Sequence, residues 1–315
     1  MTRDQGGEVS HRLWTGYSPQ MSGGAAVSFF GVRGSTPCDG SSLARYGGNT
    51  SCVVIEAEGH DPSVLDLGTG LRNYGTELVA AGRNEGVHAS VLLTHLHWDH
   101  IQGLPFFAPL FSPTTVLDIH GPRQAEGPLG EVFAGVMCPP YFPITPDDLD
   151  GTVRFHDTGD DDFPIGSAKV RSRWVRHVGP TLGYRVEIGG VSVAYISDHG
   201  QACGGGTQVE GDDYVPHEVL ELADGADLLI HDSQHTQSEF MHKRHWGHCT
   251  IEYAVHVAHE AGARQLALFH HDPAHSDDQI DLILQSARDY ASQRGGPAVF
   301  AAWEGLTVAL GPRTA

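Results

Sequence analysis

The chain has 315 residues, enough to bury a full core as one large domain or two small ones. Hydrophobic residues at 40% and charged residues at 18% are the proportions of a soluble globular protein, and no run of about eighteen apolar residues offers a membrane span. Nineteen basic against 39 acidic residues leave a net charge of −20, which repels a polyanion on average, so a nucleic-acid polymer is not the expected partner.

Residues 1–26 are rich in Gly, Ser and Gln, lack the apolar stretch of a secretory signal, and are expected to be disordered. Met21 offers an alternative start, since the periodic sequence begins just after it. Five scattered cysteines (Cys38, Cys52, Cys138, Cys203, Cys249) with no C-x-x-C spacing read as reduced thiols in a cytoplasm. From residue 27 onward, short apolar runs bounded by Gly, Pro, Asn or Asp predict strands: "AVSFFGV", "SCVVIEA", "SVLDLG", "ASVLLTH", "TVLDIHG", "AKVRSRWV", "GYRVEI", "VSVAYISD", "DLLIHD", "QLALFHH" and "LTVAL". Helical patterns lie between some of them. "LRNYGTELVAAG" carries Leu71, Tyr74, Leu78 and Val79 on one stripe, "TIEYAVHVAHEAGA" opens on Thr250 as N-cap, and "SDDQIDLILQSARDYA" opens on Ser276 followed by acidic residues. Packed sheets covered by helices, an α/β class, follow from this order, in a single domain over 27–315. Two irregular insertions are expected, at about 122–165, with a short helix around "LGEVFAGVM", and at the glycine-rich 200–216.

Directly after the apolar run "SVLL" comes "THLHWDH", three histidines and an aspartate within six residues. Four polar side chains so close to a buried strand must each find a partner. On a strand end, residues i and i+2 share a face, so His95 and His97 can chelate one ion while Asp99 and His100 turn toward a second. Neutral imidazole with carboxylate suits zinc, with manganese or iron as alternatives.

This motif resembles the signature of the metallo-β-lactamase superfamily, H-x-H-x-D-H after a buried strand. The resemblance extends through "FFGVRGSTP", "LDLGTGL", "RHVGPTLGYRVEI", "AYISDHG", "LLIHDSQHT", "HWGHCT" and "LFHHDPAHSDD", in the expected order, over about residues 27 to 310. It is most similar to the branch containing ribonuclease Z and small cyclic phosphodiesterases. The resemblance implies a four-layer αβ/βα sandwich and three further metal ligands: His177, Asp198 as the bridging carboxylate, and His270, with His271 as its competitor. Metal one then takes His95, His97, His177 and Asp198, and metal two takes Asp99, His100, Asp198 and His270. It also implies His248 as the acid that protonates the leaving group, oriented by Asp232, so that His248, Asp232 and the ligand Asp99 form the catalytic set. Relatives of this branch often pair, which makes a homodimer the family expectation.

Two divalent ions, zinc first and manganese second, can share a hydroxide and neutralise a phosphodiester as it is attacked. The leading expectation is therefore a dinuclear phosphodiesterase acting on a small phosphodiester such as a cyclic nucleotide or cyclic sugar phosphate. The alternative is hydrolysis of a lactone, thioester or β-lactam by the same hydroxide. A redox reading is disfavoured because His97 stands where redox relatives carry glutamate. Around this set, Asp66 is read as an anchor for the loop beneath the metals. Arg33 is read either as a phosphate contact or as a structural ion pair. Met137, Tyr141 and Phe142 are read either as an apolar wall beside the metals that stacks a base or ring, or as plain core. His231 is placed in support of a strand end, Asp272 and His275 as caps of a turn, and the role of His235 is left open.

Overall fold

The computed structural model describes residues 23–201 and 214–312. The first 22 residues of the segment expected to be disordered, Cys203, and most of the glycine-rich insertion at 200–216 lie outside the described residues. Strands β1 (Ala25–Gly31), β2 (Cys52–Glu56), β3 (Ser63–Leu65), β4 (His88–Leu92), β5 (Val116–Pro122), β6 (Thr152–Thr158) and β14 (Thr307–Leu310) form one sheet in the order β14-β1-β2-β3-β4-β5-β6. The second sheet runs β13-β12-β11-β10-β9-β8-β7, from β7 (Asp162–Ile165), β8 (Ala168–Trp174), β9 (Leu182–Ile188), β10 (Val191–Ile196), β11 (Leu228–Asp232), β12 (Gln265–Phe269) and β13 (Ala298–Ala301).

The period-2 alternation of strands decides which side chains meet. Along β10, Val191, Val193 and Tyr195 point between the two sheets, where they join Phe29, Leu92 and Phe269. Ala194 and Ile196 point the other way, against α3 (His217–Ala223), α5 (Ile251–Glu260) and α6 (Asp277–Ser292). A strand buried on both faces is apolar at nearly every position, as β10 is; its one small polar residue, Ser192, donates its hydroxyl to Asp227 Oδ2 at 3.1 Å. The outer face of the first sheet is covered by α1 (Gly70–Ala80), through Leu71, Tyr74 and Leu78, and by α2 (Leu129–Val136), through Leu129 and Phe133. The result is helix, sheet, sheet, helix: the four-layer sandwich.

The helix starts follow their side chains. Thr250 accepts from Tyr253 N at the head of α5, and Ser276 forms a reciprocal cap with Gln279 at the head of α6. α4 (Gln237–Lys243) opens with the same reciprocal cap between Thr236 and Glu239. No helix among the described residues is long and apolar enough to cross a membrane.

One expectation needs correction. Residues 122–165 are not an irregular insertion throughout, because β6 and β7 lie within them and form an edge of each sheet. Both are edge strands with partly exposed faces; Arg154, His156 and Pro164 break the apolar signal that marked the other strands. β1 also begins two residues before the boundary read at residue 27.

β3, β4, β5 and β6 run parallel to one another, as do β10, β11, β12 and β13. Their carboxyl ends gather along one rim, the usual place for ligand chemistry in open α/β sheets.

Candidate metal centre

Every side chain of interest leaves the fold at that rim. Asp66 follows β3, His95 to His100 follow β4, and His177 lies in the β8–β9 loop. Asp198 follows β10, Asp232 ends β11, His248 precedes α5, and His270 is the first residue after β12. Residues up to 204 positions apart in the sequence, Asp66 and His270, therefore converge on one volume.

Two clusters of ligand atoms result. His95, His97 and His177 form one, and Asp99, His100 and His270 form the other. Asp198 lies between them. Its Oδ1 is 3.9 Å from His95 Nε2, 3.6 Å from His177 Nε2 and 3.5 Å from His270 Nε2, while its Oδ2 is 3.2 Å from His100 Nε2. All seven residues predicted as ligands are thus brought together. His271 is not: its Nε2 donates to the Ala302 carbonyl at 2.9 Å, and its ring packs on Tyr46.

The outer nitrogens of the rings are anchored, which fixes what the inner ones can do. His95 Nδ1 meets Thr94 Oγ1 at 3.0 Å, His100 Nδ1 donates to Asp66 Oδ2 at 2.7 Å, His177 Nδ1 donates to the Gly247 carbonyl at 2.7 Å, and His270 Nδ1 donates to Gln234 Oε1 at 3.2 Å. With Nδ1 protonated, the Nε2 lone pair of each ring points inward. His97 presents Nδ1, which lies 3.2 Å from His177 Nε2. His100 Nε2 and His270 Nε2 stand 3.4 Å apart. Tetrahedral ligands around zinc, at the usual zinc–imidazole length, lie roughly 3.3–3.4 Å from one another. His95 Nε2 and Asp198 Oδ2 are buried with no well-aligned hydrogen bond, and orphaned polar atoms of that kind are costly without a partner. The residues fit a pair of divalent cations.

Charge points the same way. Burial pushes His95, His97 and His177 below the ordinary histidine value, into the neutral form a metal ligand needs. Burial would depress His100 and His270 too, but Asp198 and Asp99 (and, for His100, Asp66) outweigh it and hold both rings up. Burial opposes ionisation of Asp99 and Asp198, yet the surrounding imidazoles hold both carboxyls below the ordinary range. The pocket is a well for positive charge.

Beside the clusters stands a second pair. His248 Nδ1 donates to Asp232 Oδ2 at 2.7 Å, and both side chains are buried. The His248 ring stacks on His270, with ring centres 5.0 Å apart, and leaves Nε2 without a hydrogen bond among the described residues. Asp232 is held in turn by the backbone N–H groups of Gln234, at 2.9 Å, and His199, at 3.1 Å. Burial opposes its charge, but His248 outweighs that and keeps the carboxyl below its ordinary value.

Several supporting residues escaped the sequence reading. The Ser35 N–H donates to Asp99 Oδ2 at 2.7 Å, and Gln234 and the Gly247 carbonyl orient two of the rings. A Cβ at Gly34 would overlap the His270 ring. The glycines of "GVRGSTP" and "WGHCT" were the available signal, marking places where backbone approaches a side chain closely. Asp66, read as an anchor, also accepts from Thr94 N at 2.7 Å and Tyr195 Oη at 2.8 Å. Its φ of 61° and the φ of 58° at His270 place both in the left-handed region, a strain that non-glycine residues seldom carry outside functional sites. Of the two roles open for Arg33, the phosphate contact is ruled out. It is fully buried, and its guanidinium donates to the carbonyls of Gly47, Asp272 and His275. His235 is buried against His248, with Asp272 Oδ2 3.8 Å from its Nδ1. Asp272 caps its turn through Ala274 N and pairs with Lys243.

Comparison with known proteins agrees with this geometry. Residues 64–271 match the family model described as the β-lactamase superfamily domain. A protein of Halobacterium salinarum named ribonuclease Z is 29% identical, over 89% of this chain and 96% of the relative. A protein of the same name from Haloferax volcanii is 27% identical, over 84% of this chain and 90% of the relative. Among solved structures, the metallo-β-lactamase fold protein YhfI from Bacillus subtilis superposes with a TM-score of 0.65 at 18% identity, over 91% of this chain and 99% of that one.

Proposed function

The chain belongs to the metallo-β-lactamase superfamily and is a metal-dependent hydrolase, and from that premise we propose that it is a dinuclear phosphodiesterase. His95, His97 and His177 would hold one ion, Asp99, His100 and His270 the other, with Asp198 shared between them. The nitrogen-rich donor set favours zinc, with manganese as the alternative. When bound, such a pair lowers the pKa of water and neutralises the oxygens of a phosphodiester.

The observation that carries the phosphodiester reading is the His248–Asp232 pair. Cleaving a phosphodiester at an alkyl oxygen expels an alkoxide, a leaving group that needs a proton as it departs. His248 Nε2 is the ring nitrogen free to deliver that proton, while Asp232 fixes the tautomer and stabilises the imidazolium. A thioester, by contrast, expels a thiolate that departs without a proton and so gains less from such an acid. Ser35 N–H and Asp66 contribute by fixing Asp99 and His100.

A small phosphodiester remains the favoured substrate class, on the acidic charge of the chain. RNA is a second reading, because the relatives named above carry the name ribonuclease Z, so the acidic balance alone does not dismiss a nucleic-acid partner.

The test is leaving-group dependence. Metal-loaded protein is assayed on bis-p-nitrophenyl phosphate, cyclic nucleotides and an RNA hairpin with a 3′ extension. His248→Ala should lower turnover of the alkoxide-releasing substrates by about 10²–10⁴-fold while sparing the p-nitrophenyl ester, whose leaving group needs no proton. Metal-replete protein that cleaves none of them would overturn the proposal.

A further inference from the structure

Next to the metal centre lies a cleft of about 350 Å³ whose twelve lining residues include no charged side chain. In a chain of net charge −20, a neutral concavity at the rim of the site calls for an explanation. It is also apolar and open to solvent. Trp98 is 64% exposed, Phe106 54% and Tyr141 72%, and Phe106 stands edge-on to Phe142 with ring centres 6.0 Å apart. Large aromatic faces left in water are costly unless something covers them.

The position says what covers them. Trp98 sits between His97 and Asp99 in the chain, and Thr36 follows Ser35, whose N–H holds Asp99. One wall of the cleft is thus built from chain neighbours of the metal-centre residues, on the side where a substituent of a bound phosphodiester can extend. With no cation on its walls, the cleft has nothing to hold a second phosphate. Flat aromatic faces, with the Gln102 amide and the Thr36 and Tyr141 hydroxyls as polar groups that can donate and accept, suit an uncharged heterocycle. The volume lies at the small end of ligand cavities, about 300–1,000 Å³, which suits one ring system.

We propose that this cleft is a nucleobase subsite, in which Trp98 and Tyr141 stack on the base and Gln102 reads its edge. The substrate is then a nucleotide phosphodiester in place of a bare cyclic sugar phosphate. This rests on the phosphodiesterase reading and deepens it.

Two measurements on the full chain test it, one of which needs no turnover. By calorimetry, adenosine monophosphate should bind about tenfold or more tightly than ribose 5-phosphate, the scale of one base–aromatic stack, and Tyr141→Ala should shrink that difference several-fold, with Trp98→Ala in addition abolishing it. Equal affinity of the two ligands for the native protein overturns the subsite, whatever the enzyme hydrolyses. For turnover, the metal-loaded protein is compared on adenosine 3′,5′-cyclic phosphate and its base-free analogue, ribose 3′,5′-cyclic phosphate. Tyr141→Ala and Phe106→Ala should lower kcat/KM for the nucleotide by about tenfold, mainly through KM, and leave the base-free ester unchanged. Equal losses on both, or none on either, overturn the subsite while leaving the phosphodiesterase reading intact. Preferential binding of the monophosphate by a protein that cleaves no phosphodiester would sink the function and keep the subsite.

Discussion

Replacing Asp66 by Asn changes one atom beneath the metal centre and leaves the backbone at ease, since asparagine is among the few residues that tolerate a positive φ like the 61° observed there. The carboxylate now accepts from Thr94 N, Thr94 Oγ1, His100 Nδ1 and Tyr195 Oη, at 2.7–2.9 Å. An amide can keep one oxygen toward Thr94, and its NH2 group then faces His100 Nδ1–H and the Tyr195 hydroxyl. The tyrosine can rotate to accept. The histidine can accept only by moving its proton to Nε2, the nitrogen turned toward Asp198. About two hydrogen bonds to a charged group are lost or weakened, each worth about 1.5–3 kcal/mol, so a destabilisation of roughly 3–5 kcal/mol is expected. For a domain of this size that lowers Tm by roughly 5–8 °C. Metal affinity should fall about 10–100-fold, as when a group that orients a ligand is removed. Denaturation curves with and without added zinc, and metal content after dialysis, report both effects. A variant melting within about 2 °C of the native protein and retaining its full metal complement would refute the reasoning.

Other outcomes follow from the same geometry. Gly34→Ala should push the His270 ring off its position and cost on the order of 10²-fold in turnover, with a much smaller effect on the unfolding midpoint. Gly247→Ala forces a φ of 85° on a residue with a Cβ that would lie 2.6 Å from His177 Nδ1; metal analysis should show one ion held less tightly than the other. Chelation should lower Tm, and titrating zinc back should raise it in a concentration-dependent way, because the metal binds only the folded centre. Acid should destabilise the fold ahead of carboxylate protonation. Burial holds His235 and His120 down to about 4, so each contributes stability that is complete above its unfolded value near 6.5 and is lost as pH falls toward 4. These two groups together should take roughly 2–4 kcal/mol from the unfolding free energy between pH 6.5 and 5, and the slope should be about one proton shallower in His120→Gln; a flat profile over that range would count against both assignments.

The sequence determined the strands buried on both faces, because short, β-branched runs such as "VSVAYI" are almost wholly apolar, as a strand between two layers requires. It determined the capped helices at Thr250 and Ser276, whose hydroxyls and spacing are local properties. The half-site His95 to His100 was legible for the same reason: its residues are neighbours in the chain, and a strand end arrays them. The edge strands β6 and β7 were not legible, since partly exposed faces leave no period to read. What the chain order could not settle is distance across it. Only the packed sheets bring His177, Asp198 and His270 to the first cluster, turn His270 inward and His271 away, bury Arg33 from any phosphate, and set an uncharged aromatic cleft beside the centre. Those facts depend on which strand ends share a rim, and that register is fixed by burial over the whole core, which no short stretch of sequence contains.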